Sequence, residues 1–143
     1  MADIVDQKTR ARMMSRIRGK NTKPEMLLRR GLHRAGFRFR LHRKSLPGSP
    51  DIVLPRWKAA IFVNGCFWHR HENCLFATTP ATRTEFWSAK FEANVARDKR
   101  NIDALLAAGW RVAVAWECSI RNSPEEIAEK IGRWLRCADQ SNF

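Results

Sequence analysis

Residues 45–63 read Ser45-Leu46-Pro47-Gly48-Ser49-Pro50-Asp51-Ile52-Val53-Leu54-Pro55-Arg56-Trp57-Lys58-Ala59-Ala60-Ile61-Phe62-Val63, and this stretch decides the fold. Ser45 to Pro50 is turn chemistry, proline and glycine clustered where a chain reverses. Asp51 to Leu54 is an apolar run opened by a carboxylate, which predicts a short strand. Pro55-Arg56 reads as a turn and Lys58 to Val63 as the next strand. Upstream, Phe37-Arg38-Phe39-Arg40-Leu41 alternates apolar and basic residues, the pattern of a half-buried strand. Thr22-Lys23-Pro24-Glu25 is a capping box with proline in the first turn, opening a helix to about Ala35 that Gly36 stops. Lys8 to Arg18 predicts a short basic helix ending at Gly19. Its apolar content is only Met13, Met14 and Ile17, so full order is expected on a partner. Downstream, periodicity disappears from Asn64 to about Thr82, a structured loop. Thr84 to Ala108 is helical by pattern, with Phe91, Val95, Ile102, Leu105 and Leu106 as core candidates and Gly109 as the stop. Trp110 to Trp116 reads as a buried strand. Ser123-Pro124-Glu125-Glu126 is a second capping box, before Ile127, Ile131, Trp134 and Leu135 at helical spacing. Two helices, three strands, a loop, a helix, a strand and a helix make an α/β protein: a mixed sheet flanked by helices.

A chain of 143 residues suits one domain. We divide it into a basic arm (1–20), a folded domain (21–137) and a flexible tail (138–143). Lys and Arg number 27 against 14 Asp and Glu, a formal net charge of +13. The first 44 residues hold 14 basic and 3 acidic side chains, so nearly all the excess lies in the first third. Such asymmetry points to a polyanion, nucleic acid before a membrane surface. Nineteen of the basic residues are Arg, whose planar fork suits phosphates and base edges. The simplest use of Arg10, Arg12, Arg16, Arg18 and Lys20 is a phosphate clamp whose grip weakens steeply with salt. No apolar run approaches the length of a transmembrane helix, so no membrane role is expected. Met1 to Asp6 lacks the pattern of a signal peptide, and a cytoplasmic location is expected. In that compartment the cysteines are thiols or metal ligands rather than a disulfide framework.

A carboxylate at the start of a strand, straight after a proline turn, is held rigidly where a cleft can open. Pro50-Asp51 followed by a second strand is the layout of the restriction-endonuclease-like, PD-(D/E)xK-type core, and the order of elements matches it. The acidic-x-Lys half would fall on the next strand, where Ile61-Phe62-Val63-Asn64 has neither group. Another residue must supply the base, and His69 is the candidate. Cys66-x4-His71-x2-Cys74, with Cys118 after the last strand, offers four ligands for a tetrahedral, structural Zn²⁺. Such a site would staple the loop to the sheet. His71 completes the better spacing, which leaves His69 for chemistry, while Cys137 has no partner nearby in sequence.

Asn64-Gly65-Cys66-Phe67-Trp68-His69, with Pro47 to Asp51 before it and Thr82-Arg83-Thr84-Glu85-Phe86-Trp87 after it, resembles the very-short-patch-repair (Vsr) endonucleases. Gly109-Trp110-Arg111-Val112 and Trp116-Glu117-Cys118 match as well, so the resemblance runs from about Asp6 to Trp134. It implies a bacterial enzyme, nucleoid-associated when acting, that nicks double-stranded DNA 5′ of the thymine in T·G mispairs left by deamination of 5-methylcytosine. Asp51 would be the metal-binding catalytic carboxylate, His69 the general base, and Glu25 an auxiliary acidic residue. Glu25 also has a complete structural role as the third residue of its capping box. Phosphodiester hydrolysis needs a hard cation such as Mg²⁺, and the Val63 backbone carbonyl is the second protein ligand we assign. Asn64 departs from the family, many of whose members carry a second histidine there. Asparagine can position water or phosphate but cannot titrate near neutrality.

The resemblance further implies that Phe67, Trp68 and Trp87 intercalate at the mispair, with Met14 approaching from the other groove. Phe86, Trp110, Trp116 and Trp134 read as core. A MutL-type mismatch-repair protein enters as a second partner beside DNA, and a monomer suffices to cut one strand. Two alternatives stay open on the residues alone: a restriction-like nuclease without mismatch specificity, and a zinc-containing DNA-binding module without catalysis.

Overall fold

In the computed structural model the first helix, α1 (Lys23–Arg34), begins where the capping box places it. The residues described are 21–137, apart from 73, 75, 76 and 79. The basic helix near 8–18, Met14, the arm residues Arg10, Arg12, Arg16, Arg18 and Lys20, and the tail lie outside them. Thr22 Oγ1 accepts the Glu25 N–H at 3.4 Å, and Glu25 returns a bond to the Asn21 N–H at 3.3 Å. At the other end Gly36 takes φ +88°. Its N–H reaches the His33 carbonyl at 3.0 Å and the Phe37 N–H reaches Leu32 at 3.1 Å, a Schellman closure that turns Phe37 into the core beside Leu32.

The sheet has order β1-β2-β3-β4. Strand β1 (Arg40–Leu41) pairs antiparallel with β2 (Ile52–Leu54), which pairs antiparallel with β3 (Ala59–Asn64). Strand β4 (Arg111–Trp116) joins β3 in parallel, in a register that sets Ala59 beside Arg111 and Asn64 beside Trp116. A parallel pair needs a crossover, supplied by the loop and helix α2 (Thr84–Ala107). Short helix α3 (Glu117–Asn122) and α4 (Pro124–Arg136) follow.

Alternation along the central strands divides the core. Ile52, Leu54, Ile61, Ala113 and Ala115 join Leu28 and Leu32 of α1 and Ile127, Ile131, Trp134 and Leu135 of α4. Ala60 and Val112 face Leu105 of α2 on the other side, with Phe62 and Ile102 packed against them. Helices on both faces of a mixed sheet are the expected architecture. Helices α1 and α4 come unusually close: a Cβ added at Gly31 would sit 2.5 Å from Ala128 Cβ. Among the described residues no helix is long and apolar enough to cross a membrane.

Several local expectations fail for physical reasons. The alternating segment 37–41 is strand only at Arg40–Leu41, both exposed, because the Schellman closure commits Phe37 to the helical side of the core. Ser123 does not cap α4 with its side chain. It also ends α3, donating its N–H to Ser119 at 3.0 Å, and takes φ −149°, ψ 70° between the two helices. Helix α3 itself carried no signal in a window of one and a half turns. Along α2 only Phe91 and Leu105 are buried; Val95 is 45% exposed and Leu106 36%. Phe86 is 47% exposed and not core, and Trp110 and Trp116 are half-buried, while Trp134 is core at 4%.

Candidate active site and metal centre

The antiparallel register pairs Ile52, at the start of β2, with Ile61, so Asp51, one residue earlier, lies near the end of β3, within side-chain reach of Val63. Asp51 Oδ2 accepts the Val63 N–H at 2.7 Å. Both line a cleft of about 700 Å³ together with Asn64, His69, His42, Lys44, Arg97 and Asp98. Burial pushes the Asp51 carboxyl up to about 7; the Val63 N–H opposes the rise, the negative charge and close contact of Glu25 add to it, and the His69 side chain opposes it again. A carboxylate held so reluctantly as an anion, open to a cleft, favours a cation next to it.

Glu25 is 1% exposed, far more buried than a capping residue requires. Its Oε1 and Oε2 lie 3.1 and 2.9 Å from His42 Nε2, and Arg29 Nη2 also bonds Oε2. Ligand atoms of Glu25, His42 and Asp51 all fall within 4.8 Å of one another. The Asp51 carboxylate, turned to the cleft with the Glu25 carboxylate close behind it, fits a hard divalent cation. In the lining of the same cleft, His69 Nδ1 lies 2.5 Å from Asp98 Oδ2. An Nδ1–H donated to that carboxylate leaves Nε2 with its lone pair, the form a proton acceptor needs. Asn64, the last residue of β3, is 7% exposed and forms part of the cleft wall.

The loop after β3 begins with a second cluster. Cys66, His71, Cys74 and Cys118 bring their ligand atoms within 4.8 Å of one another. Cys118, at the start of α3, donates its N–H to Cys66 Sγ at 3.4 Å, and its own Sγ lies 3.4 Å from His71 Nδ1. A tetrahedral divalent centre with thiolate and imidazole ligands has ligand–ligand edges of roughly 3.5–3.8 Å, so the quartet fits. Burial and the neighbouring thiols push the Cys66 thiol up to about 12, while burial pushes the His71 imidazole down, toward its neutral, ligating form. The His71 ring stacks on Trp116 at 4.2 Å. A cation among these thiols would reverse the Cys66 preference by favouring thiolate. Cys137 is exposed and away from the quartet.

Phe67, Trp68 and Trp87 meet in one aromatic cluster: Phe67 lies 5.0 Å from Trp68 and 5.9 Å from Trp87, with buried Phe91 beneath at 5.2 Å. All three are half-buried, and Lys90 lies over Trp68 at 5.4 Å.

Sequence reasoning missed Asp98, His42 and Arg29. Asn94, Asp98 and Asn101 recur at i, i+4 and i+7 along α2, a polar stripe that a helix shows when it packs against polar backbone. Asn94 Nδ2 indeed donates to the Trp68 carbonyl at 3.2 Å, and Asp98 holds His69. His42 carried no local signal, since its partner lies seventeen residues earlier.

Residues 2–75 match the family model described as DNA mismatch endonuclease Vsr. The chain is 51% identical over 120 residues to the type II nicking enzyme V.XorIIP of Xanthomonas oryzae, covering 84% of this chain and 88% of that one. It is 42% identical over 139 residues to the DNA mismatch endonuclease Vsr of Escherichia coli, covering 94% and 88%. The catalytic domain of the homing endonuclease I-Bth0305I shares the fold, with a TM-score of 0.56 and 21% identity over 83% of this chain and all of that one. By family model and by relatives spanning most of its length, the chain belongs to the Vsr family of DNA mismatch endonucleases, and its substrate as an endonuclease is DNA.

Proposed function

We propose that this endonuclease nicks double-stranded DNA 5′ of the thymine in T·G mispairs produced by deamination of 5-methylcytosine, using Mg²⁺. The observation that carries the reading is one cleft lined by both Asp51 and the His69–Asp98 pair. Asp51 is the protein carboxylate for the cation and the Val63 carbonyl its second protein ligand, with Glu25 adding negative charge from behind. Mg²⁺, when bound, supplies the positive charge that stabilises the crowded phosphoryl transition state. His69 takes the proton of the attacking water at Nε2, because Asp98 fixes the tautomer and the ring direction through Nδ1. Asn64 orients water or phosphate by hydrogen bonding.

Zn²⁺ is the cation that Cys66, His71, Cys74 and Cys118 suit, with four protein ligands and no open position, so its role is structural. Phe67, Trp68 and Trp87 wedge into the stack at the mispair. Met14 enters from the opposite groove, and Arg10, Arg12, Arg16, Arg18 and Lys20 clamp phosphates. The protein acts as a bacterial, cytoplasmic monomer at the nucleoid, and a MutL-type protein is a second partner.

The test is nicking of a labelled duplex with one T·G mispair in a methylase-site context, beside matched T·A and C·G duplexes, with Mg²⁺ or EDTA. We expect Mg²⁺-dependent cutting 5′ of the mispaired thymine, lost in Asp51→Ala. Equal cutting of all duplexes would retain the nuclease and refute the mispair specificity. Unchanged cutting by Asp51→Ala would refute the site.

A further inference from the structure

We propose that His42 is a positioning residue for the metal site: it locks Glu25 and Asp51 together at the spacing a divalent cation requires. The inference rests on the reading of Asp51 as a metal ligand and adds a residue that the reading does not contain.

His42 is tied to both carboxylate residues at once. Its backbone N–H donates to the Asp51 carbonyl at 3.1 Å, one step beyond the two-residue strand β1. Its Nε2 faces both oxygens of Glu25, at 2.9 and 3.1 Å. The residue adopts φ +47°, a left-handed conformation that costs a non-glycine residue energy and persists where surrounding bonds enforce it. Here the enforcing bonds are those two, one to the Asp51 backbone and one to the Glu25 carboxylate, so they tie together the two residues whose carboxylates must be held side by side.

Glu25 shows why such a clamp is needed. An ionised carboxylate offers about four lone-pair directions. Oε1 accepts the Asn21 N–H at 3.3 Å and faces His42; Oε2 faces His42 and bonds Arg29 Nη2. Three protein donors therefore hold Glu25, and it cannot swing onto a cation without breaking those bonds. Its charge is felt through position, beside Asp51. The Arg29 guanidinium also lies 3.3 Å from His42 Nε2, so a positive group already occupies that end and a cation is driven to the Asp51 end. This geometry makes His42 a donor to Glu25 rather than a metal ligand.

The test is Mn²⁺ binding to the full, zinc-loaded chain without DNA, followed by electron paramagnetic resonance, for His42→Gln, His42→Asn and His42→Ala. Glutamine retains an N–H donor that can reach Glu25. Asparagine tolerates the left-handed backbone better than histidine but is too short to reach, so its thermal midpoint stays near wild type and loss of binding is not loss of fold. We expect the Mn²⁺ dissociation constant to rise on the order of tenfold in His42→Asn and His42→Ala, and to stay within about twofold in His42→Gln. In nicking assays the Asn and Ala variants should need more Mg²⁺ while the KM for DNA is unchanged. If glutamine binds Mn²⁺ as weakly as alanine, the imidazole itself is a ligand or proton carrier and the positioning role is overturned. It is equally overturned if all three variants bind as wild type. Wild-type Mn²⁺ binding by Asp51→Asn would instead remove the metal site and overturn the proposal together with the reading beneath it.

Discussion

Asp51→Asn should make the magnesium-free protein more stable while abolishing its activity. Ordinarily, replacing a half-buried, hydrogen-bonded carboxylate costs stability. Here the carboxyl is pushed from 3.8 up to about 7, chiefly by burial and then by Glu25, against the pull of the Val63 N–H and His69. A raised acid pKa means that the folded state holds the proton more tightly than the unfolded chain. Below about pH 4 both states are protonated and nothing is lost. Between about pH 4 and 7 the unfolded chain releases its proton first, so stability falls as pH rises, and above about 7 the loss is constant. Three pKa units correspond to about 4 kcal/mol as an upper bound. The amide oxygen of asparagine can still accept from Val63 but as a neutral group, so we expect a net gain on the order of 2 kcal/mol at pH 8. For a domain of this size that raises the thermal midpoint by roughly 6 °C. The assay is thermal unfolding of both proteins from pH 4 to 8.5, zinc retained and magnesium absent. The gap should be near zero at pH 4, open toward 7 and then level off. Adding Mg²⁺ should close it from the wild-type side, since ligand binding stabilises only the chain that binds. A gap independent of pH, or an asparagine variant less stable at pH 8, would refute the reasoning.

The remaining predictions concern other parts of the fold. Asp98→Asn should lower kcat by about 10²–10⁴ with little change in DNA affinity, because it removes the fixed tautomer of His69; single-turnover nicking beside a binding titration separates the two. If the proposed zinc site is right, wild type should carry about one zinc per chain by atomic emission, and Cys118→Ser should carry less and have a lower thermal midpoint. Zinc reloading of the wild type should release protons, because the Cys66 thiol, at about 12 without a cation, is otherwise protonated. Gly31→Ala, which in an open helix would stabilise by about 1 kcal/mol, should destabilise by about 1–3 kcal/mol in denaturant unfolding, since the new methyl group would stand 2.5 Å from Ala128 Cβ.

What could be read in the chain divides by the range of the interaction that fixes each feature. The Thr22 box, the Gly36 and Gly109 stops and the core spacing of Ile127, Ile131, Trp134 and Leu135 are decided within one or two helical turns, and they appear as read. The Cys66, His71, Cys74 and Cys118 cluster was legible for a related reason: three of its members are local, and only Cys118 had to be placed by the last strand. Segment 37–41 was misread because its alternation competes with a helix closure that uses the same Phe37. Asp98 and His42 leave little local trace because each is defined by a partner distant in sequence, and their own neighbourhoods look like an ordinary charged helix and an ordinary basic turn.

Within the proposed function, the loop after β3 joins recognition to chemistry by covalent adjacency. Phe67 and Trp68, the wedge residues, precede His69 directly, and Cys66 and His71 bracket the three. The bracket is tied to α3 through Cys118, and the span between is tied to α2 through Asn94 on the Trp68 carbonyl and Asp98 on the His69 ring. A segment with no strand or helix of its own would otherwise sample many conformations, and a general base displaced by about 1 Å can lose on the order of 10²-fold in rate. Fixing both ends of so short a span holds Phe67 and Trp68 at a set offset from His69. A matched pair that resists opening would then leave its phosphate out of register with the base, and discrimination would show in kcat more than in DNA affinity.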